Sequence, residues 1–190
     1  IVDETADIKK AAKDIVDGCT FDNNLPCIAE KEVFALREIA DELIHHMVKN
    51  GCYLLNDRQI KELEDVVLVW TENKKGQRVR TINKDWVGRD AKKILAQIGV
   101  KASDDIRCII CETDFSQAFV QTELMMPILP IVRVNTFDEA VEMAVKAEHG
   151  NRHTAHMHSK NIDNLTRFAR AVETTIFVKN APSYAGIGFG

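Results

Sequence analysis

The sequence predicts an α/β domain whose largely parallel sheet carries helices on both faces. Three observations lead there. Apolar runs of strand length alternate with amphipathic segments of ten or more residues along the whole chain. Runs such as Arg107-Cys108-Ile109-Ile110-Cys111-Glu112 are apolar without alternation, as strands buried on both faces are. With 190 residues, 45% of them hydrophobic and 28% charged, the chain suits one globular domain with a sizeable core.

Asp7 is placed to cap a helix that carries Ile8, Ala11, Ala12, Ile15 and Val16 on one face and stops at Gly18. Residues 20–26 are polar and turn-rich, with Asp22, Asn23 and Asn24 in succession. Val33-Phe34-Ala35-Leu36 reads as a strand. Ile39, Leu43, Ile44, Met47 and Val48 recur at helical spacing up to Gly51, and Ile60, Leu63, Val66 and Val67 mark another helix. Residues 73–76 form a charged loop, and 83–85 open a second polar stretch. Helices are expected at about residues 90–99, 138–147 and 162–172, and strands at 107–112, 129–134, 154–158 and 175–178. There is no internal repeat and no low-complexity segment.

The formal net charge is -4 and no run of Lys and Arg occurs, so neither nucleic acid nor an anionic membrane is expected as a partner. No apolar run is long enough to span a bilayer. Five scattered cysteines, an odd number, read as free thiols of a reducing compartment, which points to a cytoplasmic protein. Ile1 and Val2 already belong to a strand-like run, and Gly186-Ile187-Gly188-Phe189-Gly190 ends without a closing helix or strand. Residues 1–190 are therefore expected to be one domain of a longer polypeptide.

The segment Phe21-Asp22-Asn23-Asn24-Leu25-Pro26-Cys27-Ile28-Ala29-Glu30 carries the most chemistry. Cys27 follows a polar turn and precedes residues able to form a helical turn. Backbone N–H groups there favour the thiolate, which is the nucleophilic form, and Pro26 restricts the approach of the chain. The local residues leave two readings open: a reactive thiol, or a small buried hydrophobe as free cysteines often are. Cys19, Cys52, Cys108 and Cys111 stand in apolar or helical contexts and are expected to be structural.

Thr20-Phe21-Asp22-Asn23-Asn24-Leu25-Pro26-Cys27 resembles the nucleophile segment of the aldehyde dehydrogenase superfamily, in its coenzyme-A-acylating branch. The likeness continues through Val2-Asp3-Glu4-Thr5-Ala6-Asp7, Trp86-Val87-Gly88-Arg89-Asp90-Ala91, Glu123-Leu124-Met125-Met126-Pro127, Arg152-His153-Thr154-Ala155 and Phe177-Val178-Lys179-Asn180, in the order of that family. It covers essentially the whole chain and is nearest to the microcompartment enzymes that oxidise propionaldehyde or acetaldehyde. The resemblance implies that residues 1–190 are the catalytic domain, with the N-terminal Rossmann domain and the C-terminal oligomerisation tail absent.

It also implies roles. Cys27 is the nucleophile that forms a thioester with a short aldehyde, propionaldehyde favoured. Its backbone N–H and an upstream Asn would hold the oxyanion. Glu123 and Pro127 stand where relatives have a Glu-x-Phe-Gly-Pro motif that binds the nicotinamide ribose of NAD, here with Met125 and Met126 in place of Phe and Gly. A carboxylate suits a vicinal diol because it accepts two hydrogen bonds; without the resemblance Glu123 reads as a solvated loop residue. His153 occupies the position of a histidine proposed to take the proton of the coenzyme A thiol, the alternative being a structural imidazole. Coenzyme A is thus a co-substrate, the complete enzyme a homo-oligomer, and a bacterial microcompartment with its shell a candidate location. The chain alone is expected not to turn over aldehyde.

Two other functions stay open: a hydrolytic aldehyde dehydrogenase that releases a carboxylic acid, and an assembly module in which Cys27 is inert. His149, His153, His156 and His158 suggest zinc, but their spacing matches no structural zinc pattern, and no metal is expected. Lys74, Lys75, Arg78 and Arg80 read as a solvated basic patch rather than a phosphate site. Gly186, Gly188 and Gly190 lack the strand–turn–helix context of a phosphate loop. The resemblance places residues 177–180 and this tail along the aldehyde tunnel.

Overall fold

Along β5 (Cys108–Thr113), Cys108 and Ile110 pack into one apolar cluster while Ile109 and Cys111 pack into another. Successive side chains of a strand point to opposite faces, so both faces of β5 are buried. The computed structural model, which describes residues 1–189, builds the fold around this strand. β5 lies between β6 (Ile128–Val134) and β2 (Cys52–Leu54), and β6 pairs in turn with β1 (Val33–Leu36). All three pairings are parallel.

Parallel neighbours need crossover connections, and helices supply them. α2 (Arg37–Lys49) joins β1 to β2, α3 (Asp57–Val67) and α4 (Ala91–Ala96) lie between β2 and β5, and the short α5 (Ala118–Gln121) precedes β6. α1 (Ile8–Thr20) and α2 cover one face of the sheet; α3, α4 and Phe119 cover the other. Leu43 and Met47 of α2 are fully buried, each contributing about 1.5–3 kcal/mol of apolar burial.

β7 (Thr154–Met157) and β8 (Ile176–Lys179) form a second parallel pair, connected by α7 (Ile162–Val172), which packs on α6 (Phe137–Ala147). Residues 1–3 stitch this pair to the main sheet. Val2 forms parallel bridges to both Ala35 and His158. Its N–H donates to the Phe34 carbonyl at 2.9 Å, and the His158 N–H donates to the Ile1 carbonyl at 2.9 Å. Asp3, 0% exposed, locks the seam. Its Oδ1 accepts from the Thr5 N–H and hydroxyl at 3.0 and 2.7 Å, and its Oδ2 from the Ser159 hydroxyl and Asn164 Nδ2 at 2.6 and 3.0 Å.

Three expectations need correction. α1 does not stop at Gly18 but continues to Thr20; that helical position takes a glycine because a Cβ there would meet the Glu30 carboxyl oxygens at 2.3 and 2.4 Å. β3 (Leu68–Glu72) and β4 (Arg78–Ile82) make an antiparallel hairpin where only a charged loop was expected. Its surface carries Trp70, with the Arg78 and Arg80 guanidinium carbons 4.8 and 5.6 Å from the ring centroid. β2, three residues long, was not anticipated at all. Among the described residues, no helix is long and apolar enough to cross a membrane.

Asp3→Ala leaves the Ser159 and Asn164 donors without their acceptor at a buried seam, and is expected to cost about 1–3 kcal/mol in urea unfolding. Lys9→Ala, on an exposed helix position, should stay within about 0.5 kcal/mol of the parent.

Candidate active site

After α1 the backbone takes an unusual path. Asp22, Asn23 and Asn24 have φ of 47, 51 and 67°, the left-handed region that Asp and Asn enter more readily than other side chains. Such residues persist only where their surroundings hold them. Asn23 Nδ2 donates to the Gly88 carbonyl at 3.1 Å and to Asp90 Oδ1 at 3.0 Å. Asn24 is buried, and its Nδ2 donates to the carbonyls of Cys19 and Glu30 at 3.1 and 3.0 Å.

Between those anchors the chain makes the turn Pro26-Cys27-Ile28-Ala29, closed by the Ala29 N–H donating to the Pro26 carbonyl at 3.0 Å. The turn presents Cys27 to solvent, whereas Cys19, Cys52, Cys108 and Cys111 are all buried. The buried-hydrophobe reading therefore fits the other four thiols and not Cys27. Burial pushes Cys111 up to about 12. Cys19 is raised well above the usual thiol range by its contact with Cys108, sulfur to sulfur 3.8 Å, and by burial. Neither is available as thiolate at neutral pH.

Cys27, Glu123 and His153 line one cavity of about 180 Å³, so three of the four anticipated site residues meet across long stretches of sequence. Burial raises the Glu123 carboxyl above the ordinary range, opposed by the nearby Lys31 and His153. Lys31 donates to the Val120 carbonyl at 2.7 Å and pairs with Glu32 at 2.8 Å. His153 is exposed. Its N–H donates to Glu148 Oε1 at 2.9 Å, and its Nδ1 lies 2.6 Å from the Thr154 hydroxyl. With Nδ1 engaged, Nε2 is the ring nitrogen left for proton transfer.

Pro127 does not line the cavity; it is buried at the head of β6, where its carbonyl accepts the Ile109 N–H at 2.8 Å. The neighbouring Met125 adopts a left-handed φ of 54°, and its carbonyl accepts the Gly88 N–H at 3.0 Å. Lys74, Lys75, Arg78 and Arg80 belong to the hairpin and are also absent from the cavity lining. Residues 177–180 do not line it either, but the tail comes close to the nucleophile segment: Tyr184 and Phe189 stack on Phe21 at 5.3 and 6.0 Å between centroids. Gly190 lies outside the described residues.

His156 and His158 line the cavity as well, and burial pushes both imidazoles down to about 3, so they are neutral at physiological pH. Among the described residues no group of three His, Cys, Asp or Glu side chains is placed to hold a metal ion. The residue that sequence reasoning missed is Glu30. It is 4% exposed, borders the same cavity, and burial pushes its carboxyl up to about 8 from 4.5. Its position three residues past Cys27 was the one available hint.

The unfolded Glu30 carboxyl loses its proton near pH 4.5, while the folded one keeps it to about pH 8. Between those values the folded state binds the extra proton, so this group's contribution to stability declines as pH rises. The melting temperature of the parent relative to Glu30→Gln is therefore expected to fall from about pH 5 to about pH 8. A difference independent of pH would contradict the neutral burial of Glu30.

The model of the aldehyde dehydrogenase family matches residues 1–188. The chain is 45% identical over 190 residues to the acetylating acetaldehyde dehydrogenase EutE of Salmonella typhimurium, covering 100% of this chain and 40% of that protein. It superposes with a TM-score of 0.91 on a propionaldehyde dehydrogenase from the Clostridium phytofermentans fucose utilisation bacterial microcompartment, at 55% identity over 100% of this chain and 42% of the other. A Rhodopseudomonas palustris propionaldehyde dehydrogenase, solved with bound CoA and an acylated cysteine, gives 0.90 at 50% identity over 98% of this chain and 41% of the other. The chain thus spans about two-fifths of the length of these relatives, and it belongs to the aldehyde dehydrogenase family.

Proposed function

We propose that residues 1–190 are the catalytic part of a CoA-acylating aldehyde dehydrogenase that converts propionaldehyde, NAD and coenzyme A to propionyl-CoA and NADH. The observation that carries this reading is the meeting of one exposed thiol, Cys27, with Glu123 and His153 at a single cavity. The relatives named above, one with bound CoA and an acylated cysteine, support it.

In this reading the Cys27 thiolate attacks the aldehyde carbon and gives a thiohemiacetal. The Cys27 N–H, which makes no hydrogen bond among the described residues, faces the developing oxyanion. NAD, when bound, supplies the hydride acceptor. Glu123 would hold its ribose: the carboxylate lines the cavity, and a carboxylate can accept two hydrogen bonds from a vicinal diol. Loss of hydride leaves an acyl thioester on Cys27. His153, its Nδ1 held by Thr154, takes the proton of the coenzyme A thiol, and the resulting thiolate displaces Cys27. Pro127 serves as scaffold rather than as a cofactor contact.

In this reading the complete enzyme carries a nucleotide-binding domain outside residues 1–190, forms a homo-oligomer and resides in the cytoplasm within a bacterial microcompartment. One relative comes from the Clostridium phytofermentans fucose utilisation bacterial microcompartment.

Joined to the nucleotide-binding domain of a relative, the chain should reduce NAD with propionaldehyde only when coenzyme A is present, releasing propionyl-CoA. Cys27→Ser should lower the rate by roughly a thousand-fold or more, and His153→Ala by about a hundred-fold with aldehyde binding retained. Release of free propionate at the same rate without coenzyme A would instead mark a hydrolytic enzyme.

A further inference from the structure

Glu30 has no part in the reaction just described, yet it is built into the site from three sides. Its Oε1 accepts the Ser183 N–H at 3.1 Å. Its own carbonyl accepts Asn24 Nδ2 at 3.0 Å. Its carboxyl lies so close to α1 that a Cβ at Gly18 would fall 2.3 Å from Oε1, 2.4 Å from Oε2 and 2.6 Å from the Ser183 hydroxyl. The chain keeps a glycine in mid-helix where any side chain would collide with this carboxyl. Glu30 Oε2 and Ser183 Oγ are both buried without a hydrogen-bond partner. A carboxylate in that place would be costly, whereas the neutral acid has an O–H to give to the serine oxygen beside it.

We propose that Glu30 is a positioning residue for Cys27: wedged between Gly18 and Ser183, it anchors the far end of the nucleophile turn and ties it to the segment Ser183–Ile187. Asn24 holds the near end of that turn, so Cys27 is suspended midway between two fixed points six residues apart along the chain. The inference rests on Cys27 being the nucleophile. Burial favours the neutral form, and the ionisable groups of α1 that face Glu30, Asp14 and Cys19, supply no positive partner. Loss of the proton places a negative charge next to the turn, which disfavours a thiolate at Cys27.

The test compares the full chain with Glu30→Gln, which keeps the shape and hydrogen bonds of the acid but cannot ionise. Cys27 alkylation by iodoacetamide is followed by peptide mass spectrometry from pH 6 to pH 10, with circular dichroism to confirm the fold. At about pH 6.5 the two should label within about two-fold of each other. At about pH 9 the variant should label faster by about three-fold or more, on a profile with a single ionisation, while the parent bends away from one. In the complete enzyme, Glu30→Ala should slow Cys27 acylation about ten-fold and Glu30→Gln should restore it. Superposable profiles for parent and Glu30→Gln would overturn the inference while leaving the nucleophile in place. Failure of Cys27 to become acylated in the parent would remove the nucleophile reading itself.

Discussion

The Asn24 side chain donates from one nitrogen to two carbonyl oxygens, that of Cys19 in the last turn of α1 and that of Glu30 beyond the nucleophile turn, and the placement of Cys27 depends on that bridge. Together with the Asn23 bonds to Gly88 and Asp90, it holds three consecutive left-handed residues, each against its own steric preference. With it, the chain leaves a buried helix, turns sharply, exposes one thiol and returns to a buried position within ten residues. Buried amides that satisfy two backbone acceptors fix a loop more firmly than surface contacts do, because the alternative is an unpaired carbonyl away from water.

The second constraint is the seam at residues 1–3. β7 brings His153, His156 and His158 to the cavity, but β7 and β8 share no hydrogen-bonded strand with the main sheet. Residues 1–3 join them to it, Val2 bridging both sheets and Asp3 satisfying four donors behind it. Cys27 therefore rides on α1 and the start of β1, and His153 on the second sheet, while Glu123 comes from the loop before β6. A site assembled from three separate elements needs a rigid frame between them, and the continuous parallel array with helices on both faces supplies it.

Much of this frame was legible in the chain. Helical apolar spacing located α1, α2, α3, α6 and α7, and unbroken apolar runs located the central strands, because burial on both faces removes the polar alternation. The misreadings are of one kind: places where distant residues decide the local structure. Gly18 looks like a helix stop, but it is small because Glu30 must approach. The hairpin β3–β4 lies mostly exposed, with charged and aromatic residues that carry no burial pattern, and β2 is too short to carry one. At the site, the run Asp22-Asn23-Asn24 signals a turn from sequence, and the roles of Glu123 and His153 came from the family resemblance. The exposure of Cys27, the displacement of Pro127 from the cavity and the burial of Glu30 are products of tertiary packing, which no local pattern records.

The account stands or falls on a covalent acyl intermediate at Cys27. The measurement that addresses this most directly is mass spectrometry of the complete enzyme mixed with propionaldehyde and NAD in the absence of coenzyme A. A propionyl adduct confined to the peptide that contains Cys27, cleared on addition of coenzyme A with formation of propionyl-CoA, is the predicted result. An adduct on another residue, or NADH formation with no adduct at Cys27 at any time, would contradict it.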